Sequence, residues 1–383
     1  MAVPANSDIE EILADLRGYL GDAPAALSLP PRAYTSPELW ELERERIFRR
    51  AWILVAHTDQ LARAGDYVAV TIADESVVVV RDRHDQLHAL SPICRHRLMP
   101  LVEPGAGHTE AFTCSYHLWK YGLDGRLRGA PYMGGNKDFR AEECGLPRFA
   151  VREWRGFVWV NLDADAESIV PHLDSAAADF AEYRLGEMVQ VDSWSHVWRT
   201  NWKLAMENGH ENYHVIGLHR ETLEPFMPGG GDLYVRQYSP WVLHARIPFV
   251  APLEPESLAL NDIQKANGML MMSFPVGAFM GLGDQVVWLS FIPLTIDSVQ
   301  VVGGVLTSPE SADGSSETVT RTQQAVTAMI NDEDRKGLEA VQRGVASRFA
   351  ARGHLSPKEL PGVLAFYQNL ARALVRDEWP GTL

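Results

Sequence analysis

Cys94 and His96 form one close pair, Cys114 and His117 another, and seventeen residues separate them. No other feature restricts the fold so much. Two such pairs converge when the segment between them folds back as a hairpin. Two thiolates and two imidazoles suit a tetrahedral structural zinc. They equally suit a [2Fe–2S] cluster in which two Cys hold one iron and two His the other. Zinc-finger patterns put both Cys in one pair and both His in the other. Here each pair is mixed, C-x-H then C-x₂-H, so each loop reaches across both irons. Zinc, and ordinary buried Cys and His, stay open as alternatives. Cys144 lies outside the pattern and reads as a small core residue.

The surroundings are β-rich. DYVAVTI and SVVVVRD lie between Tyr67 and about Leu90, and GFVWVNL closes a Gly-, Pro- and aromatic-rich stretch near Leu162. Residues 60–162 read as one small all-β domain. Residues 1–59 precede it as a helical segment expected to pack on the catalytic domain, residues 163–383. Within it a helix over 36–52 has Ser36 as cap and Pro37 in its first turn, with Trp40, Ile47, Phe48, Ala51 and Trp52 near helical spacing. Residues 163–383 read as an α+β domain, an antiparallel sheet covered by helices. PHLDSAAADFAEY and NWKLAMENGHENYHVIGLH are helical, and 235–306 returns to β. SPESADGSSE (308–317) is a solvated loop, 318–345 a helix interrupted at NDED, and the last 27 residues are helical, with Pro361 disturbing the start.

A second constellation lies in E-N-G-H-E-N-Y-H-V-I-G-L-H. His214 and His219 are five apart, about 140° on a regular helix, so they share a face only if the helix loosens or ends between them. Gly217 sits there. Two His and one carboxylate, with open positions opposite, form the facial triad of non-haem Fe(II) oxygenases. H-x₄-H alone is a weak signal, and capping or core histidines are the plain reading. A one-electron carrier upstream is what an O₂-activating iron needs, and it strengthens the metal reading. Asp332, Glu333, Asp334 and Glu339 all offer carboxylates, and spacing does not choose among them.

Composition narrows the partners. Lys plus Arg number 35 and Asp plus Glu 50, a net charge of −15, against nucleic acid and anionic membrane surfaces. No apolar run reaches the ~18 residues of a membrane span. The acidic N-terminus does not read as a signal peptide, and three Cys are too few for a disulfide framework, so a cytoplasmic location is expected.

With both constellations in view, about residues 37–345 resemble the Rieske non-haem iron oxygenases, the α subunits of ring-hydroxylating dioxygenases and their monooxygenase and demethylase relatives. The family's C-x-H-x₁₅₋₁₇-C-x₂-H motif is matched by Cys94, His96, Cys114 and His117. Its iron motif is matched by Asn201, Trp202, Lys203, Glu207, Asn208, Glu211, His214 and His219. The family's third iron ligand is an Asp five residues before a Glu, which selects Asp334 before Glu339. The resemblance implies a Rieske cluster, a mononuclear Fe(II), and a ring-shaped homotrimer in which Glu211 bridges His117 of one subunit to His214 of the next. Asn208 is implied near the iron; His210 reads as a supporting hydrogen-bond partner or a surface residue.

Two residues depart from the family pattern. Leu98 stands where Gly is usual after CRHR, which implies altered packing under the cluster loop. Glu211 stands where Asp is commoner. Glu occurs there in some oxygenases of quaternary ammonium compounds, such as the carnitine type, and tilts the expected substrate that way. Trp241, Phe249, Phe274, Phe279, Trp288 and Phe291 could line a cavity, although such a stripe is more often core. PFMPGGGD (225–232) reads as a surface loop or a mobile cover.

The expected function is a terminal oxygenase that uses O₂ to hydroxylate or demethylate a small organic substrate. Electrons would come from NAD(P)H through a separate reductase, with or without a ferredoxin, since the chain carries no G-x-G-x-x-G after a strand and no ferredoxin Cys run. Cis-dihydroxylation of an arene is the alternative outcome, and a β subunit is left open. From other classes, a Rieske electron carrier without oxygenase activity explains only the first motif, and a zinc-stabilised binding module predicts a colourless protein.

Overall fold

The computed structural model describes residues 6–21, 24–312, 320, 324–325 and 332–376. Two seven-stranded antiparallel sheets and one small three-stranded sheet organise it. The first sheet is built from β1 (Ile53–His57), β2 (Asp66–Ile72), β3 (Glu75–Arg81), β4 (Leu87–Leu90), β5 (Gly105–His108), β9 (Arg148–Trp154) and β10 (Phe157–Asn161). Its order is β1-β10-β9-β4-β3-β2-β5. Between β5 and β9 the chain makes the small sheet from β6 (Phe112–Thr113), β7 (Lys120–Tyr121) and β8 (Leu127–Gly129).

Four consecutive valines, Val77–Val80, explain how these pieces fit. Successive side chains of a strand point to opposite faces. Val77 and Val79 enter the main core, whereas Val78 and Val80 enter a second, smaller core with Leu90, Cys94, Phe112, Cys114, Trp119 and Tyr121. All four valines are fully buried, so β3 is covered on both faces. The smaller core sits beneath a head formed by residues 91–147. The head's two ends meet on one rung: Leu90 pairs with Arg148, and Ser91 N donates to Pro147 O at 2.9 Å.

The second large sheet takes β11 (Val189–Trp198), β12 (Tyr234–Ser239), β13 (Val242–Pro248), β14 (Asn267–Ser273), β15 (Gly277–Leu282), β16 (Gln285–Thr295) and β17 (Ser298–Thr307). Strands β12 to β17 form a meander, and β11 pairs with β17 at its edge. This accounts for the β-rich text over 235–306. The two large sheets share one core, in which Phe157 meets Phe279 at 4.6 Å between ring centroids.

The helices are α1 (Asn6–Gly18), α2 (Pro37–Glu43), α3 (Val170–Ala176), α4 (Trp202–Gly209), α5 (Val215–Leu218), α6 (Asp262–Ala266), α7 (Arg335–Val345) and α8 (Leu360–Ala371). Ser36 caps α2 as expected, its Oγ accepting from Leu39 N at 3.1 Å, but the helix widens into a π turn over Arg44–Phe48. The PHLDSAAADFAEY helix is shorter than its pattern, passing from α3 into 3₁₀ turns over Ala177–Tyr183. Pro361 does not disturb α8; it sits in the first turn, where the missing N–H costs nothing. Of the helix expected over 318–345, residues 332–345 are helical and most of the earlier ones lie outside the described residues, as do 313–317 of the expected loop and 377–383 of the last segment. No helix among the described residues is long and apolar enough to cross a membrane.

Candidate active site

The head presents two loops of one design. Cys94 N donates to Met99 O at 2.9 Å and Leu98 N to Cys94 O at 3.0 Å. Cys114 N donates to Trp119 O at 2.8 Å and Leu118 N to Cys114 O at 2.9 Å. Each loop turns through a non-glycine residue in the left-handed region, Leu98 (φ 59°) and Leu118 (φ 60°). The pairing sorts the ligands by type. Both cysteines are free and buried, whereas His96 and His117 lie partly exposed above them, with ring centroids 4.5 Å apart. Nδ1 of each histidine is buried without a hydrogen-bond partner. Two thiolates inside and two orphaned imidazole nitrogens outside fit a two-metal cluster with unlike ligand sets, better than one tetrahedral ion.

Tyr121 was not foreseen from the sequence. Its hydroxyl accepts from Arg95 N at 2.9 Å and lies 3.3 Å from Cys94 Sγ. Burial, then the sulfur itself, hold the phenol proton in place, so Tyr121 is a lasting donor to Cys94. Burial works against ionisation of Cys114, but the N–H groups of Tyr116 and His117 outweigh it and hold the thiol below its usual pKa. Trp119 stacks on His96 at 4.8 Å. Leu98 is not packed beneath the loop, as the sequence suggested: it is 74% exposed, because the left-handed turn throws its side chain outward. Cys144 is half-buried against the smaller core.

The second constellation depends on how α4, α5 and α7 are stapled. Asn201 caps α4, accepting from Lys203 N at 3.0 Å and donating to Ile296 O at 2.6 Å. The backbone entering α4 is bonded to α7: Arg199 N donates to Glu339 Oε1 at 3.2 Å and Asn201 N to Gln342 Oε1 at 2.8 Å. Glu339 is thus a staple. The residue just before α7, Asp334, is carried against the end of α4, where Asn208 Nδ2 donates to its Oδ1 at 3.1 Å.

The spacing of His214 and His219 resolves itself through a helix end. His214 precedes α5, α5 lasts four residues, and His219 terminates it; Gly217 lies inside that turn with no left-handed φ. One ligand atom each from His214, His219 and Asp334 lies within 4.8 Å of the others. Both imidazoles present Nε2 to Asp334 Oδ1, at 3.0 Å for His219 and 3.8 Å for His214. Their Nδ1 atoms are held by other carboxylates: His214 by Glu211 at 2.5 Å, His219 by Glu333 at 2.7 Å. Such carboxylate–imidazole pairs fix ring and tautomer and raise ligand basicity. Burial acts to lower the His219 pKa, but Asp334 and Glu333 outweigh it and hold it above the ordinary value.

Glu333 stood among four candidate acids with no role assigned. Thr222 Oγ1 also donates to it, at 2.6 Å. Glu211 additionally accepts from His214 N at 3.0 Å. His210 is neither on the surface nor against this set. Gly362 of α8 presses on its carbonyl so closely that a Cβ there would lie 1.8 Å away. The His210 ring donates from Nδ1 to Met206 O, 2.6 Å away, and burial pushes its pKa down to about 4.

The set of three opens into a cavity of about 120 Å³. Of the aromatics considered, only Phe279 and Phe291 line it, together with Trp198. Trp241 and Phe274 pack on each other, and Trp288 is core. The 225–232 loop is pinned: Asn212 Nδ2 donates to Pro228 O at 3.3 Å, Gly229 N to Glu224 at 2.8 Å, and Met227 forms cavity wall.

The profile of the Rieske [2Fe–2S] domain matches residues 51–149. That of the ring-hydroxylating α subunit catalytic domain matches 185–376, just over half of the chain. The chain belongs to the ring-hydroxylating α-subunit family. Within that family it is 33% identical over 225 residues to the glycine betaine monooxygenase oxygenase subunit of Chromohalobacter salexigens, covering 56% of this chain and 50% of the relative. It is 33% identical over 196 residues to the carnitine monooxygenase oxygenase subunit of Escherichia coli K12, covering 51% and 52%. Biphenyl 2,3-dioxygenase subunit α of Rhodococcus jostii is 31% identical over 238 residues, covering 60% and 49%. The chain thus spans about half the length of these curated relatives. The fold is also that of a quaternary ammonium Rieske monooxygenase in complex with an inhibitor (TM-score 0.78, 21% identity, 97% and 99% of the chains). It is likewise that of naphthalene 1,2-dioxygenase from Rhodococcus sp. (TM-score 0.76, 18% identity, 96% and 98%).

Proposed function

We propose that this chain is the terminal oxygenase component of a Rieske system, hydroxylating or oxidatively demethylating a small organic substrate. The reading is carried by one observation: His214, His219 and Asp334 converge at the polar end of an otherwise apolar cavity. Its parts are the N-terminal segment expected over 1–59, which is helical only before residue 53 because Ile53–His57 pair with β10 as β1 of the first sheet, a cluster domain (60–162) and a catalytic domain (163–383). Cys94, His96, Cys114 and His117 would hold the [2Fe–2S] cluster, and His214, His219 and Asp334 the Fe(II). When bound, these groups supply electron storage and O₂ activation.

The protein's own contribution is local. Glu211 and Glu333 each hold the Nδ1 of one histidine and so turn Nε2 toward Asp334 as the atom that would ligate a metal. Asn208 fixes the Asp334 carboxylate and occupies one lone pair of Oδ1. The apolar walls exclude water, which strengthens the electrostatic contacts inside. Glu211, with a side chain bonded to His214 and partly exposed, is the group through which a neighbouring subunit's cluster would be felt in a homotrimer. A separate reductase, with or without a ferredoxin, would deliver electrons from NAD(P)H. Three free cysteines suit the reducing cytoplasm.

The test is to count iron, sulfide and zinc in anaerobically purified protein. About three irons and two sulfides per chain, with Rieske absorption bands, are expected. Two irons with two sulfides, unchanged on adding Fe(II), would remove the catalytic site, and a colourless zinc protein would remove the oxygenase reading.

A further inference from the structure

Two groups of charged side chains, far apart in the chain, lack counter-ions. The first is at the tip of the head. Arg95 and Arg97 bracket His96; both are exposed, and neither has a carboxylate partner among the described residues. The Arg97 guanidinium lies over the Tyr116 ring at 5.8 Å, and that ring lies 3.9 Å from the His117 ring. Arg97 is thus carried beside the histidine that the proposed trimer turns toward Glu211. The head as a whole holds seven Lys and Arg against six Asp and Glu, in a chain of net charge −15.

The second group is beside Glu211. Glu359 immediately precedes α8, whose first turn presses on the residue next to Glu211, at the close approach of Gly362 to His210 O. Glu359 is half-buried and its Oε1 accepts from Ser356 N at 2.5 Å; no cation pairs with it among the described residues. The adjacent Lys358 is engaged with Asp232 at 2.6 Å. Burial foremost, then the charge of Glu211, hold the Glu359 pKa above its ordinary value, against the pull of Ser356 N–H and His214. The Glu359 carboxyl therefore lies within electrostatic reach of the Glu211–His214 pair.

Neighbouring carboxylates without a cation, and arginines without an anion, are unfavourable within one subunit and complementary between two. Resting on the ring-shaped trimer of the oxygenase reading, we infer that Glu359 is the second acid of the subunit contact and receives Arg97 of the partner subunit. The docking that sets His117 against Glu211 brings Arg97 to Glu359 in the same movement, because each charged group flanks one end of that bridge. The contact is head to tail, and such contacts close into a ring when the rotation permits. Apolar side chains accompany both groups: Tyr116 and Leu118 are exposed on the head, Tyr213 and Ile216 beside His214. When joined they exclude water and strengthen the pair. Glu359 is a positioning residue. It fixes the lateral register of the bridge, while Glu211 stays bonded to His214.

The experiment is sedimentation velocity of anaerobic holoprotein over a dilution series, for wild type and charge-reversal variants. Wild type should sediment as a trimer. Arg97→Glu and Glu359→Arg each place like charges together and should raise the dissociation constant about ten-fold or more. The double variant should return it to within about three-fold of wild type. Glu359→Gln, a milder change, should weaken assembly about two- to five-fold and flatten its dependence on salt. Single variants that assemble like wild type, or a double variant no tighter than the singles, would overturn the pairing. A wild-type monomer with full iron and sulfide would remove the ring and the pair with it. Iron and sulfide counted on the same samples test the oxygenase reading separately: a wild-type trimer lacking either would remove that reading, while rescue in the double variant would still establish the pair.

Discussion

Asp334 joins everything at the catalytic end: Asn208 donates to it, and both histidines face it. Asp334→Ala should therefore lose the mononuclear iron while the red-brown cluster colour stays, measured by iron per sulfide and visible spectrum. Normal turnover in that variant would remove Asp334 from the ligand set. Glu333→Ala leaves all three ligands but frees His219 to rotate. It should bind Fe(II) about 10- to 100-fold more weakly, and wild-type affinity would mean that the Glu333 contact does not set the ring's orientation. Glu211→Gln should keep both metals and lose coupled electron transfer; a wild-type rate would end its bridging role. The residues proposed as ligands were legible to different degrees: Cys94, His96, Cys114, His117, His214 and His219 lie in short motifs, whereas Asp334 was one of four acids until the family resemblance selected it. The roles of Glu333 and Tyr121 were not legible. Glu333 and His219 are 114 residues apart, and only the fold decides which of two adjacent acids faces which ring nitrogen.

At the scale of elements, the twin loops of the head give the clearest test. Leu98 occupies a left-handed φ, which costs a non-glycine residue about 1–2 kcal/mol, while glycine returns part of that through its flexible unfolded state. Leu98→Gly should thus raise the melting temperature slightly, by about 1 kcal/mol or less of stability, with cluster content unchanged. A lower melting temperature would mean that the exposed leucine side chain makes a stabilising contact, for example across a subunit interface. The valine run and the meander were legible because burial on two faces leaves uninterrupted apolar text. The helices were less so. The π turn after α2 and the four-residue α5 keep helical spacing in sequence while departing from it in space, since tertiary bonds override the regular period there.

At the scale of the molecule, the N-terminal segment and the helices of the catalytic domain lock together through buried polar groups. Lys203 Nζ meets Glu43 at 2.5 Å, with the Trp202 indole donating to the same carboxylate at 2.8 Å. Tyr34 donates to Glu207 at 2.7 Å. Burial pushes the Glu207 carboxyl up to about 8, against the pull of Tyr34, Lys203 and Tyr367. A raised folded pKa means that the native state holds a proton which the unfolded chain has released. Stability from this group is complete below pH ~4.5 and is lost as pH rises toward 8. The wild-type melting temperature should fall relative to Glu207→Gln between pH 5 and 8, and parallel curves would show that Glu207 is ionised throughout. Gel filtration should give about three chains per particle, and an active monomer would exclude electron transfer between subunits. The shared core of the two large sheets adds a constraint on dissection: Phe157 and Trp159 would be bared if the chain were cut near residue 162.

The head obeys a different rule. It branches from the first sheet after Leu90 and rejoins it at Arg148, two residues that face each other on one rung; between them it adds the edge strand β5 beside β2, and it rests on its own small core. A segment with adjoining ends and a private interior is portable. Lineages could have exchanged residues 91–147 as a cassette, refitting the protein to a new electron donor while the oxidising chamber was inherited intact. The socket such a graft must match is the edge of β2 that pairs with β5, and the side chains of Tyr67, Ala69, Val78, Val80 and Leu90.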